Sequence, residues 1–453
     1  MKKKDRFIGK CVDYTHDCLG VVKHEGTAVF VKNLILDEEA EIEIIKVLKN
    51  YCVGRVVKHI KASEHREEPV CEVYKQCGGC QLMHMSQLGQ KIFKTQRVKE
   101  TLHKIGHCDV EVLDTIMDDV PYHYRNKVQV PFGMKDNRIV SGFYKARTND
   151  IINQDHCHIQ NTFSNEVTLR AKQLFEEYHI LPYDKQSHKG IIKHVLTRYG
   201  THTNEGMVVF ITYKKKVKHL SHIASILASE FPEIKSVIQN VNERHDNVIL
   251  GDEEILLYGK DVIEDTLLDK RYHISMKSFY QINPRQVEKL YTKAIEFADF
   301  KGDETVIDAY CGIGTIGLSL ANHVKQVYGV EVVPDAIKNA KENAKRNHVS
   351  NIEFTCQDAG EFMLKCANEH KTIDVVMVDP PRKGCSELFL DQMMTLSPEK
   401  IVYISCNVAT QARDVAYLQE HGYQAVIAQP VDMFPQTNHV ESVVLMSRVG
   451  AKQ

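Results

Sequence analysis

Val306-Ile307-Asp308-Ala309-Tyr310-Cys311-Gly312-Ile313-Gly314-Thr315-Ile316-Gly317 passes from an apolar strand end through a carboxylate into a glycine turn. Further short apolar runs follow at Val327 to Glu331, Ile352 to Thr355, Val375 to Val378 and Ile401 to Ile404. A helix opens at Pro334 and carries Ala336, Ala340 and Ala344. From Ile274 onward strand and helix alternate strictly, which predicts a doubly wound, mostly parallel α/β sheet. Such sheets place chemistry beyond the strand ends, and Tyr403-Ile404-Ser405-Cys406-Asn407 puts a cysteine at one of them.

Gly312 to Gly317 matches the dinucleotide pattern G-x-G-x-x-G, so a nicotinamide or flavin enzyme is one reading. Asp308 argues for another, because a carboxylate beside the loop would repel a pyrophosphate that seeks bare helix N-terminal amides. S-adenosylmethionine brings an ammonium and a sulfonium, and a nearby carboxylate favours both. The loop glycines Gly312 and Gly314 serve either ligand. Glu331, ending the second strand, suits a ribose diol in both cases, and Asp358, after the third, can meet an adenine edge. Asp379-Pro380-Pro381 after the fourth strand makes a rigid turn lacking two backbone donors, a stiff wall for a flat substrate. It resembles motif IV of class I S-adenosylmethionine-dependent methyltransferases.

In that setting Cys406 is a nucleophile candidate, and a small buried hydrophobe is the plainer alternative. C5 of uracil is a poor nucleophile until a thiolate adds at C6 and makes C5 enolate-like. Release of the methylated product needs a base for the C5 proton, and Glu441, in Phe434-Pro435-Gln436-Thr437-Asn438-His439-Val440-Glu441, is the candidate.

At 453 residues the chain suits about three domains. A net charge of -2, with 43% hydrophobic and 26% charged residues, excludes a polybasic or disordered chain and leaves nucleic-acid binding to local patches. No apolar stretch is long enough to cross a membrane and the basic N-terminus lacks an apolar signal core, so a cytoplasmic location is expected. Short alternating runs between Phe7 and Ile60, such as Ala40, Ile42 and Ile44 against Glu41 and Glu43, suit a small OB-type barrel. Thirteen cysteines without a signal point away from a disulfide framework. Cys71, Cys77-Gly78-Gly79-Cys80 and Cys157 suit one metal centre, zinc or iron-sulfur, which spacing alone does not separate. Leu88 to Gly106 reads as an amphipathic helix with Leu88, Ile92, Val98, Leu102 and Ile105 on its apolar face. Lys91, Lys94, Arg97, Lys99 and Lys104 make the remainder basic, either solvated or in contact with phosphate. Tyr122 to Val130 interleaves aromatics with Arg125 and Lys127, a pattern that suits single-stranded RNA as well as an ordinary strand.

The four cysteines, Ser278-Phe279-Tyr280-Gln281-Ile282-Asn283, the Asp308 loop, Asp379-Pro380-Pro381-Arg382, Ser405-Cys406-Asn407 and Phe434 through Glu441 together resemble the bacterial RNA 5-methyluridine methyltransferases. The resemblance is closest to the 23S ribosomal RNA uracil-5-methyltransferases and covers nearly the whole chain. It implies an RNA-binding TRAM domain of OB type over residues 1–60 and a central α+β RNA-binding domain over 61–270. A Rossmann-like catalytic domain over 271–453 would follow, with the helix near 88–106 also able to pack against it. Gln281, Tyr310, Glu331 and Asp379 are then S-adenosylmethionine contacts, Cys406 the nucleophile and Glu441 the base. Cys71, Cys77, Cys80 and Cys157 become ligands of a 4Fe-4S cluster. The implied partner is RNA, 23S before transfer RNA. Phe279 and Tyr280 are a separate expectation, as rings that stack a flipped uridine. A dehydrogenase and a nonenzymatic RNA-binding factor are the rival readings.

Overall fold

The structure is a computed structural model and describes residues 1–450. Strands Arg6–Tyr14, Gly20–His24, Thr27–Val31, Glu39–Val47 and Tyr51–Lys61 close into a barrel in the order first, second, third, fifth, fourth. Period-two alternation explains the closure. Ala40, Ile42 and Ile44 fill the interior, while Glu41 and Glu43 meet Arg6 and Arg55 outside.

A seven-stranded sheet follows, ordered Glu253–Gly259, Ile234–Val241, Glu205–Thr212, Ile192–Gly200, Lys127–Lys135, Arg138–Tyr144, Ile151–Asn153. Its apolar rows, among them Val195, Val208, Phe210 and Val237, pack on Phe175 and Ile223 of helices Thr162–Glu177 and Leu220–Glu230. The hairpin Val262–Leu267 and Lys270–Ser275 covers the other face and shares a core with what comes after it.

The third sheet has eight strands. In spatial order they are Ile352–Cys356, Gln326–Glu331, Thr305–Ala309, Val375–Val378, Lys400–Ser405, Glu441–Arg448, Tyr423–Val431 and Glu111–Val112. The first five run parallel, and Glu441–Arg448 enters antiparallel beside Lys400–Ser405 with Ser442 opposite Ser405. This is the expected doubly wound sheet, with an antiparallel strand inserted at one side.

Part of the block 61–270 packs on the C-terminal domain, as allowed for the helix near 88–106, and the short strand after that helix joins the same sheet. Glu111–Val112 pairs parallel with Ile427 and Ala428, and the preceding helix Gln87–Lys104 packs on helix Val408–Glu420. The segment from 87 to 112 therefore completes the C-terminal sheet, because Val98 and Leu102 find their apolar partners there.

The face of that helix is also not the expected one. Leu88, Ile92 and Ile105 are exposed, whereas Phe93, Lys94, Val98 and Leu102 are buried. Lys94 Nζ meets Asp432 at 2.5 Å, and Arg97 donates to the Asn438 carbonyl. Burial draws Lys94 down and Asp432 up, so each is pressed toward its neutral form. Neither cation is free for phosphate. Ordinary periodicity failed here because the helix has a second partner, and a buried charge must sit where its counter-charge is. No helix among the described residues is long and apolar enough to cross a membrane.

Candidate active site

Five parallel strands and one antiparallel strand deliver their ends to the same edge. Asp308 lies next to the end of its strand, and Asp379 and Cys406 directly follow Val378 and Ser405. Because the strand Glu441–Arg448 runs the opposite way, its first residue arrives at that edge too. Topology thus brings together groups far apart in sequence.

The carboxylates at this edge have little to neutralise them. Burial pushes Asp308 and Asp379 up to about 7, and burial together with Asp379 pushes Glu441 to about 8. Burial, then Glu441 and Asp379, hold the Cys406 thiol above its ordinary value. Arg382, near that thiol, pulls Cys406 down and also opposes the rise at Glu441. The sequence placed Arg382 in a motif without giving it a role. A cation just after a rigid diproline turn was the available signal. Two side chains following Cys406 fix its loop, Asn407 Nδ2 and Thr410 Oγ1 donating to the Arg382 carbonyl at 2.8 and 3.2 Å.

The glycine loop is shaped by Asp308, whose Oδ2 accepts from the Gly317 amide at 2.7 Å. Gly314 has φ +84, and a Cβ there would lie 2.7 Å from Phe354 Cζ. At Gly312, φ +55, a Cβ would meet nothing within 4 Å, so bare backbone faces open space. Glu331 Oε2 accepts from the Gly312 amide at 3.2 Å and Oε1 from Val332 at 2.8 Å. Tyr310, itself at φ 65, tilts its ring against Phe389 at 5.3 Å. Asp358 caps helix Ala359–Asn368, its Oδ1 accepting from the Gly360 amide at 2.9 Å. Gln281 is buried, and its carbonyl accepts from Asn126 Nδ2 at 3.0 Å.

Among the described residues Asp308 Oδ1 is buried with no hydrogen-bond partner, and burial is what raises Asp379. An edge so short of positive charge fits a cationic ligand such as S-adenosylmethionine, and fits a pyrophosphate poorly.

Phe279 is 70% exposed, so its ring is accessible. Tyr280 is not available for stacking. It is 4% exposed, packs at 6.2 Å from Tyr272, and donates its hydroxyl to the Thr266 carbonyl at 3.3 Å. Alternation in an extended segment sends neighbouring side chains opposite ways, and one of the two had to face the core. Arg198, absent from the sequence reading, braces the segment by donating to the Met276 and Ser278 carbonyls. Lys127 lies near Arg198 and Arg125, and burial with those two cations lowers it to about 8.

Arg125 instead lines a cavity of about 220 Å³ together with Cys71, Cys77, Cys80 and Cys157. Burial raises the Cys77, Cys80 and Cys157 thiols, and neighbouring cysteines add to the rise in each. The Gly79 amide donates to Cys77 Sγ at 3.4 Å and Gln154 Nε2 to Cys71 Sγ at 3.5 Å. Among the described residues no three His, Cys, Asp or Glu side chains close round a single ion. The four cysteines share this cavity with Met83, Phe143 and Gln160, and its volume does not separate one zinc from a cluster.

Residues 85–449 match the family described as tRNA (Uracil-5-)-methyltransferase. The chain is 46% identical over 449 residues to an "Uncharacterized RNA methyltransferase" of Bacillus cereus, covering 99% of this chain and 98% of that one. Identity is 45% over 450 residues to a protein of the same description from Staphylococcus epidermidis, with coverage of 99% and 98%. Among solved structures, the Pyrococcus abyssi tRNA (uracil-54, C5)-methyltransferase in complex with S-adenosyl-L-homocysteine superposes with a TM-score of 0.75. It is 27% identical, covering 97% of this chain and 99% of that chain.

Proposed function

Because the chain belongs to the tRNA (uracil-5-)-methyltransferase family and is an S-adenosylmethionine-dependent RNA methyltransferase, we propose that it methylates C5 of a uridine in 23S ribosomal RNA through Cys406 and Glu441. The observation that carries the roles is the meeting of Cys406, Arg382, Asp379 and Glu441 at one sheet edge, with Glu441 raised to about 8. A carboxyl with that pKa changes protonation near neutral pH, as a general base should.

S-adenosylmethionine, when bound, supplies an electrophilic methyl group. Gln281, Tyr310, Glu331 and Asp379 are assigned to hold it, with the Asp308 loop and the open backbone at Gly312 and Gly314, while Asp358 remains at the adenine side. Arg382 stabilises the Cys406 thiolate, which adds through Sγ to C6 of the uridine. The C5–C6 electron pair moves into an enolate on the ring, and C5 takes the methyl group as the methyl–sulfonium bond breaks, its electron pair returning to sulfur. Glu441 then accepts the C5 proton, the C5–C6 double bond returns, and Cys406 leaves C6 as a thiolate. Phe279 stacks the extruded base, and Lys127 meets a phosphate of the same strand. RNA carrying 5-fluorouridine has no C5 proton to lose, so it should trap a covalent adduct that Cys406→Ser abolishes. Turnover without any adduct would sink the mechanism.

The motif set favours 23S RNA. Transfer RNA is the second reading, favoured by the Pyrococcus abyssi tRNA enzyme, which matches this chain over its full length, barrel included. The barrel is thus no mark of the ribosomal branch. Mass spectrometric mapping of 5-methyluridine in both RNAs from a deletion strain decides between them. Cys71, Cys77, Cys80 and Cys157 are assigned to a 4Fe-4S cluster, and protein purified without oxygen should be brown. A colourless, zinc-containing preparation would overturn that assignment.

A further inference from the structure

The segment that precedes Glu441 does not hold its own shape. Gln436 sits at φ 70, a left-handed conformation that costs a non-glycine residue and persists only where its surroundings impose it. Those surroundings are remote in sequence. The amides of Gln81 and Leu82, directly after Cys80, both donate to the Gln436 carbonyl at 3.0 Å. Gln90 completes the grip, its Oε1 accepting from the Gln436 amide at 3.2 Å and its Nε2 donating to Gln436 Oε1 at 3.1 Å. The same Nε2 reaches the Met85 carbonyl at 3.0 Å, so one buried amide ties the cysteine segment to the catalytic one.

Neighbouring positions are held from the same side. Tyr124, beside the cavity-lining Arg125, donates its hydroxyl to the Pro435 carbonyl at 3.0 Å, and Lys94 reaches the Phe434 carbonyl at 3.3 Å. Gln81 Oε1 accepts from the Asn438 amide at 3.4 Å. Among the described residues, apart from the adjacent His439, the hydrogen bonds that reach Phe434 to Asn438 from outside that segment come from residues 16 to 124. Both flanks of the four-cysteine cavity, Cys80-Gln81-Leu82 and Tyr124-Arg125, therefore bear on the loop that leads to Glu441.

We propose that Gln436 and Gln90 are positioning residues through which the walls of the four-cysteine cavity set the placement of Glu441 and so govern release of methylated RNA. This rests on the reading of Glu441 as the base. Cys406 and the methyl-donor residues lie on other loops, so addition to C6 and methyl transfer proceed when the latch is loosened. Loss of the C5 proton, return of the double bond and departure of the thiolate do not. A loosened latch leaves the methylated uridine covalently attached to Cys406.

The test uses the full chain with S-adenosylmethionine and unmodified uridine RNA, and follows protein–RNA adduct and free product on denaturing gels. Gln90→Met and Gln436→Val should accumulate adduct and slow its release on the order of a hundredfold, the cost of an ångström-scale misplacement. Gln436→Gly, which accepts the left-handed backbone and keeps both main-chain anchors, should recover most of what Gln436→Val loses. Cys80→Ala should behave as Gln90→Met does, and amide exchange over residues 434–441 should quicken in each slowed variant. Glu441→Gln is the control. If it fails to accumulate adduct, the base assignment falls. If it accumulates adduct while the latch variants release RNA at the parent rate, the latch falls alone. Loss of adduct formation along with product in Gln90→Met and Gln436→Val would mean that the contacts only support folding, and would also overturn the proposal.

Discussion

With its carboxyl raised to about 8, the proposed base Glu441 is mostly protonated at pH 7 and acts only after losing that proton. Cys406 is raised as well and reacts as a thiolate. Both requirements have one sign: turnover should climb with pH through about 8, where Glu441 loses its proton, and keep rising as the Cys406 thiol ionises, with no acid optimum. Arg382 lowers both groups, so Arg382→Leu should move the rising limb to higher pH and slow the reaction most at pH 6. A pH–rate profile of single-turnover methylation measures this. Phe279 and Tyr280 separate in the same direct way. Tyr280→Ala removes a buried ring and should cost about 3–5 kcal/mol of stability in urea. Phe279→Ala should leave the urea midpoint in place and weaken RNA binding by about 1–3 kcal/mol, the worth of one stacked base. The sequence showed two adjacent aromatics, but which one faced outward depended on the register of the segment.

Among the elements, helix Gln87–Lys104 is held by a polar contact as much as by its apolar stripe. Lys94 and Asp432, at 0% and 1% exposure, form a pair whose members are stable only together. Lys94→Met should lower stability by about 3–5 kcal/mol, because it strands a buried carboxylate. Adding Asp432→Leu should restore much of the loss, and paired urea titrations give the coupling. The helix's position was readable from its periodicity to within a residue or two, and its exposure was not. Leu88 and Ile92 face solvent because the interface that fixes its rotation contains Gln90 and Lys94, whose partners lie 346 and 338 residues away. No local pattern encodes such pairings.

For the whole molecule, the sheet that carries Cys406 and Glu441 is completed by residues 111–112 and backed by helix Gln87–Lys104. A chain beginning at residue 271 would expose both that sheet edge and the apolar surface under Val98 and Leu102. Such a chain should aggregate, whereas one beginning at residue 85 should be monodisperse with native-like circular dichroism. The sequence by itself determined the barrel, the alternating α/β sheet and the glycine turn after Asp308, because each is written in a short run governed by side-chain period or turn chemistry, and it singled out Cys406, Asp379 and Glu441 as candidates. Only the tertiary structure decided that Arg382 stands beside Cys406, that Tyr280 is buried, that four distant cysteines share one cavity, and that the walls of this cavity hold the Glu441 loop. Those facts rest on contacts that no local run of sequence encodes, the Gln90 to Gln436 contact spanning 346 residues, and are fixed by sheet order and by the need of each buried polar group for a partner.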